Sequence, residues 1–166
     1  GACADNLFRL VFTPAVVTDL VPLPNGSFLA GGSYWADSLH LMHLTPDGVA
    51  SSSRSFNVFP GEGEYLIDLE VVSGGYVIGI GSSEHFAPQS QWKCFAFKYD
   101  YINQTFAWVR TFEQANFQFD FFRSDIRELQ GSGNYLIHSQ NRFNYGQSMQ
   151  LVLDKTTGDV MSATGF

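Results

Sequence analysis

The chain repeats one arrangement three times, and this repeat constrains the fold more than any other feature. Each copy starts with an aspartate, namely Asp19, Asp68 or Asp125, and continues into a short apolar segment. A glycine-containing turn follows, and an aromatic residue then opens a second apolar segment. Successive aspartates are 49 and 57 residues apart. Each copy is therefore long enough for several short strands.

Two further segments complete each copy. A loop leads to a third apolar segment, a polar turn follows, and a last segment ends in phenylalanine. Residues 7–12 resemble one more copy of that last segment. The sequence therefore predicts one N-terminal strand and three four-stranded units, at approximately residues 16–56, 65–112 and 122–166.

Four strands per unit favour blades that stack on one another. A single four-stranded sheet has two apolar faces and cannot cover both, so neighbouring sheets must pack together. A period of roughly 40 to 50 residues with four strands is typical of a β-propeller blade. We predict a single all-β domain over residues 1–166, with three four-stranded antiparallel propeller-like blades and an N-terminal strand. A closed β-barrel or a β-sandwich is the alternative, because many short strands also build these folds.

The repeat also resembles a known family. The pattern D-x-x-x-L-x-x-G-x-Y/F-x-x-x-G, followed by L-x-x-L-D/T-x-x-G, resembles the blade repeats of secreted bacterial β-propeller proteins. The resemblance covers nearly the whole chain, although Ser139 and Gln140 replace glycine in the third copy. It implies an extracellular or periplasmic protein. Propellers typically close with about four to eight blades, so three blades imply a homodimer, a longer chain or the barrel alternative.

The composition excludes several functions. The net charge is −7 and the nine lysines and arginines are scattered, so no basic patch for nucleic acid is predicted. The apolar runs are far shorter than the ~20 residues of a spanning helix. The cysteines, Cys3 and Cys94, are too few to bind a metal alone. Cys94 lies in an apolar segment and is predicted to be a buried free thiol, with a disulfide to Cys3 as the alternative.

Long loops at one end of the predicted units are rich in aromatic and amide side chains. Aromatic rings stack on the apolar faces of sugars, and amides exchange hydrogen bonds with hydroxyl groups or peptide backbone. For the phenylalanines of residues 117–122, packing under the next blade is the alternative. The candidate ligand-binding residues are Tyr34, Trp35, His85, Phe86, Trp92, Asn144 and Tyr145.

Catalytic signatures are weak. Asp19, Asp68 and Asp125 are predicted to accept backbone N–H bonds from adjoining loops rather than to form a carboxylate ring. His85 lies near Glu84 and is the best acid–base candidate, but a lone loop histidine is more often a surface residue. Glu62, Glu64, Asp120 and Glu128 are the carboxylates from which a glycosidase pair would be drawn.

Metal and nucleotide sites are not predicted. His40 and His43 differ in strand parity and so point to opposite faces of a strand. No nucleophile elbow, P-loop or zinc-protease motif occurs in the sequence. We therefore expect no cofactor, and a secreted, non-catalytic module that binds a glycan or protein partner. A glycan hydrolase or lyase and a structural self-assembly unit are the alternatives.

Overall fold

The structure is a computed structural model that describes residues 15–34, 38–85, 91–113, 119–141, 144 and 146–165. The described residues form twelve strands and no helix, in three four-stranded sheets. Sheet 1 contains β1 (Ala15–Pro22), β2 (Phe28–Tyr34), β3 (Ser38–Leu44) and β4 (Ala50–Phe56). Sheet 2 contains β5 (Gly63–Val72), β6 (Tyr76–His85), β7 (Gln91–Asp100) and β8 (Thr105–Phe112). Sheet 3 contains β9 (Phe119–Glu128), β10 (Tyr135–Asn141), β11 (Ser148–Leu153) and β12 (Val160–Gly165).

The strand order within each sheet follows the sequence, and all described pairs are antiparallel. This confirms the predicted all-β fold with three four-stranded antiparallel sheets. It also excludes a single closed barrel for the described strands, because each sheet has two unpaired edges. The predicted N-terminal strand at residues 7–12 lies outside the described residues.

Tight turns gather at one end of the sheets, which we call the turn end. Glycines with positive φ occur there because these turns require a left-handed backbone, as at Gly26 (φ 82°) and Gly74 (φ 82°). The opposite end, which we call the loop end, carries the β2–β3, β6–β7 and β10–β11 loops and the connections between sheets. Up-and-down topology alone produces this separation.

The sheets pack face to face in series, with sheet 2 in the middle. Its first strand, β5, lies against both β1 and β9. Leucines of sheet 1, among them Leu29 and Leu41, pack on Phe95 and Phe97 of sheet 2. The opposite face of sheet 2 packs on sheet 3, where Trp108 lies 6.0 Å from the Tyr135 ring. Two apolar interfaces therefore form the core.

The repeated aspartates join one sheet to the next. Asp19 Oδ2 accepts a hydrogen bond from the Leu69 amide (2.8 Å), and Asp68 Oδ2 accepts one from the Ile126 amide (3.2 Å). Accepting backbone N–H groups was predicted for these aspartates. The donors differ from the prediction, because they belong to the first strand of the following sheet rather than to an adjoining loop.

Several strands extend further into the loop end than the sequence predicts. β5 begins at Gly63 and β9 at Phe119, within segments predicted as inter-unit connections. β6 continues to His85, which pairs with Gln91 of β7. These strand ends carry polar residues or lie next to residues typical of turns, so the sequence predicts loops there. Their backbone groups nevertheless form strand hydrogen bonds, because the neighbouring strands extend alongside them.

Candidate functional site

The predicted ligand-binding residues lie at the loop end, and the structure describes few of their side chains. Trp35, Phe86 and Tyr145 lie outside the described residues. The backbones of Tyr34 and Trp92 lie in β2 and β7, where Trp92 pairs with Glu84. Their side chains, and that of His85, lie outside what the structure describes.

His85 occupies a different position from the predicted one. The sequence placed it in a long loop over residues 82–91, but it is the last residue of β6. Backbone pairing of β6 with β7 continues through Ser82 and Ser83 to this position. β6 and β7 therefore include residues 82–85 and 91, which were predicted as loop.

Asn144 is the one predicted ligand-binding residue whose side-chain exposure the structure describes, and it is exposed. The backbone carbonyl oxygen of Asn144 accepts a hydrogen bond from the backbone amide of Gln147 (2.9 Å). The Gln147 side chain accepts in turn from Asn141 Nδ2 (3.0 Å). These bonds fix both ends of the β10–β11 loop and present an exposed amide.

Glu64 is the most unusual polar group at the loop end. Its side chain is fully buried, and Oε1 accepts hydrogen bonds from the backbone amides of Val58 (2.6 Å) and Phe59. Oε2 is buried without a hydrogen-bond partner among the described residues. Burial raises the pKa of Glu64, and the two backbone bonds only partly oppose that shift. The carboxyl group thus anchors the connection between sheets 1 and 2.

A charged cluster surrounds this anchor. Lys93 Nζ donates to Glu62 Oε1 (3.1 Å) and lies 3.3 Å from Glu113 Oε1. Ser83 Oγ donates to the other Glu62 oxygen (2.8 Å). Lys93 also lies over the Phe59 ring, 5.0 Å from its centroid. Burial alone would lower the pKa of Lys93, but its bonds to Glu62 and Glu113 raise it.

This geometry gives a structural role to Glu62 and Glu64, two of the four candidate carboxylates. Lys93 forms an ion pair with Glu62, Ser83 donates a hydrogen bond to it, and Glu64 does not reach the surface. A general acid or base must lie within hydrogen-bonding reach of its substrate. The cluster is therefore suited to hold the inter-sheet connection in place and to present a fixed surface around it.

The turn end contains a separate groove of about 340 Å³, lined by His43, Pro46, Tyr101 and Gln104 among others. His43 Nε2 lies 3.1 Å from the Tyr99 hydroxyl, and both residues are buried. Burial, and then the nearby Arg54, lower the pKa of His43. His40 instead faces away from sheet 2 and pairs with Ser55 (3.0 Å), which confirms the predicted opposite orientation.

Sequence reasoning missed Lys93, Ser83 and Glu113 as members of the loop-end cluster. Lys93 is one of the scattered basic residues, and no motif marks it. It lies in β7 directly before the buried Cys94 and the apolar residues 95–97. Cys94 itself is a buried free cysteine, as predicted, and burial raises the pKa of its thiol.

Comparison with known proteins gives no family for this chain. No protein-family profile matches it, and no curated protein matches it significantly. Within the described ranges, no group of three or more potential ligands is arranged to hold a metal ion. The same residues include no helix long and apolar enough to cross a membrane.

Proposed function

We propose that the protein is a secreted, non-catalytic binding module that presents its loop end to a glycan or protein partner. The fixed inter-sheet connection carries this proposal. The buried Glu64 carboxyl holds the Val58 and Phe59 amides, and Lys93 ties β7 to Glu62. Burying a carboxyl group is costly, and it leaves a preordered surface, which lowers the entropy lost on binding.

The loops around this surface supply suitable chemistry. Asn144 presents an exposed amide at a loop with hydrogen-bonded ends. The sequence adds Trp35 and Tyr145 in the β2–β3 and β10–β11 loops. Aromatic faces and neutral amides together suit sugar hydroxyls and rings, so a glycan is the first partner to test.

The resemblance to secreted bacterial β-propeller proteins supports the same proposal. Three four-stranded sheets in series are consistent with blade-like repeats. Binding in such proteins would use loops on a rigid scaffold, where function commonly resides. The extracellular or periplasmic location rests on this resemblance.

Native affinity electrophoresis through gels that contain xylan, mannan or hydroxyethylcellulose tests the proposal. We expect at least one polysaccharide to retard the protein, and Trp35→Ala and Asn144→Ala to reduce that retardation. Ile102→Ala is the matched control, because Ile102 is 70% exposed but lies at the turn end. Retardation that survives both loop-end substitutions, or that Ile102→Ala removes, would contradict the assigned surface. Absence of retardation by every polysaccharide would reject the glycan partner.

A further inference from the structure

The two inter-sheet aspartate bonds follow one rule. In each, an aspartate of one sheet accepts the amide of the residue directly after the next sheet's aspartate: Leu69 follows Asp68, and Ile126 follows Asp125. By the same rule, Asp125 is placed to accept an amide from a further sheet. Its side chain is 45% exposed and lies 3.6 Å from His138 Nδ1. No backbone amide among the described residues donates to it.

The matching donor position lies at the other end of the array. Leu20 follows Asp19 as Leu69 follows Asp68, but Leu20 is 42% exposed whereas Leu69 is 3% exposed. The Leu20 amide donates to the side chain of its own neighbour, Asp19 (2.8 Å). Val16 and Val17 on the same strand are also exposed. Among the described residues, no preceding sheet packs against β1 of sheet 1, whereas sheets 1 and 2 pack against the first strands of sheets 2 and 3.

We propose that a second copy of this chain closes the array, with its sheet 1 packed on sheet 3 of the first copy and its Leu20 amide donating to Asp125. The same contact forms in the other direction, so that two copies make a ring of six sheets. A head-to-tail contact that closes after two copies gives a defined oligomer rather than a filament. Six sheets also lie within the usual range of about four to eight for a propeller.

The outer faces of sheets 1 and 3 carry both apolar and polar residues, as the internal interfaces do. The internal interface between sheets 2 and 3 has an apolar core that reaches the outer strand, where Trp108 is 6% exposed, and charged contacts such as Arg127–Asp68 and Arg110–Asp159 surround it. Because side chains alternate along a strand, a different set of side chains points to the outer faces of sheets 1 and 3. Near the inner strands this set contains the apolar Leu20, Phe28, Met42, Leu136 and Val152, beside the polar His40, Asp125, Arg127 and His138. Further out it is polar, with Ser53, Ser55, Gln150, Ser162 and Thr164.

An apolar centre with a polar rim is the pattern of an interface between chains that fold separately. The outer faces are therefore compatible with a contact between two copies.

A second pair of positions fits the same contact. Between sheets 2 and 3, Glu70 Oε1 also accepts the Glu128 amide (3.0 Å). At the proposed contact, Arg127 occupies the position of Glu70, and Pro22 occupies that of Glu128. Arginine offers no acceptor and proline no N–H. The contact therefore lacks this bond without leaving either partner unsatisfied.

Size exclusion coupled to light scattering, over a dilution series of the whole chain, tests the proposal. We expect a mass of twice 18.5 kDa that falls to 18.5 kDa on dilution. Leu20→Asp and Val152→Asp alter one outer face each and should both yield monomers. Ile102→Asp, at an exposed turn-end position, is the control and should leave the dimer intact. Circular dichroism and urea midpoints of the diluted proteins verify that each variant is folded.

Asp125→Ala provides a graded readout. A hydrogen bond to a charged group contributes enough to change an equilibrium by about tenfold or more. Because the ring contains the contact twice, the dimer dissociation constant should rise about a hundredfold. A monomer at every concentration would overturn the proposal, as would a mass that grows beyond two copies. Dissociation by Leu20→Asp but not by Val152→Asp would indicate a contact between two copies of sheet 1 and would also overturn it.

Discussion

β1 and β5 hold equivalent positions in their sheets but differ in burial. Both are first strands, both contain the repeated aspartate, and both have a one-residue register shift just before it. β5 lies between sheets 1 and 3, and its Leu66 and Leu69 are 2% and 3% exposed. β1 has a described sheet on one side only, and its Leu20 is 42% exposed.

The difference shows that the repeated sequence defines a unit, whereas the neighbours on either side decide how much that unit contributes to stability. A single sheet cannot bury both faces, so equivalent residues contribute in proportion to the sheets that cover them. Comparing matched substitutions in β1 and β5 therefore measures the stacking directly, provided that the protein is dilute enough to be monomeric.

The largest difference is expected between Leu69→Ala and Leu20→Ala. Truncating a buried leucine costs about 2–5 kcal/mol of unfolding free energy, because it removes apolar burial and leaves a cavity. A partly exposed leucine loses much less, and we expect about 1 kcal/mol or below for Leu20→Ala. Urea unfolding of the diluted proteins measures both. Equal losses of unfolding free energy in the two variants would contradict the difference in burial between β5 and β1.

Gly81→Ala and Gly32→Ala test how firmly each first strand is held. A Cβ at Gly81 would lie 2.0 Å from Phe95 Cζ and 2.5 Å from the Tyr65 carbonyl oxygen, and one at Gly32 would lie 1.9 Å from the Val16 carbonyl oxygen. Overpacking of this kind costs about 1–3 kcal/mol. We expect Gly81→Ala to cost more, because its Cβ also meets the buried Phe95 ring and sheets on both sides hold β5, whereas β1 can shift outward. Thermal unfolding gives the order, and a larger loss for Gly32→Ala would contradict it.

Asp68→Ala and Asp125→Ala compare an aspartate that bridges two sheets with one that does not. Asp68 accepts bonds from the Ile126 amide and from Arg127 Nη1 (2.8 Å). Bonds to a charged group contribute about 1.5–3 kcal/mol, so Asp68→Ala should be clearly destabilising. Asp125→Ala should stay within about 0.5 kcal/mol in the monomer. A comparable loss at both positions in dilute urea titrations would argue against the bridging role.

Glu64→Gln should change the free energy of unfolding least at low pH and progressively more as the pH rises. The folded state raises the pKa of Glu64 above its ordinary value of 4.5, so folding favours the protonated form. The stability associated with that proton is present below pH 4.5 and is lost as the pH rises through the folded-state pKa. The neutral glutamine does not titrate. The unfolding free energy of Glu64→Gln relative to the parent should therefore increase with pH, and a decrease would contradict the assignment.

The sheets could be predicted from the sequence because their signals are local. Alternating apolar segments and glycine turns such as residues 24–26 mark the strands and their hairpins. Burial of Cys94 and the opposite orientations of His40 and His43 follow from the same alternation. These features need no knowledge of how one sheet meets the next.

The contacts between sheets could not be predicted in the same way. The donor to Asp19 is the Leu69 amide, and no local pattern links the two residues. Polar strand ends such as Ser82–Ser83 carry no apolar run, yet they pair because β5 and β7 extend alongside. Glu64 was recognised as a carboxylate of interest, but its role as a buried anchor for the Val58 and Phe59 amides depends on the packed sheets.

Hydrogen exchange at the Leu20 and Leu69 amides tests the central claim most directly. Both amides donate to Asp19, but only Leu69 lies in a strand with a sheet on each side. In dilute protein we expect slow exchange at Leu69 and exchange at Leu20 that is faster by orders of magnitude. Protection of Leu20 should rise with protein concentration as the ring closes. Equal protection of the two amides in the monomer would contradict an array that is open at sheet 1.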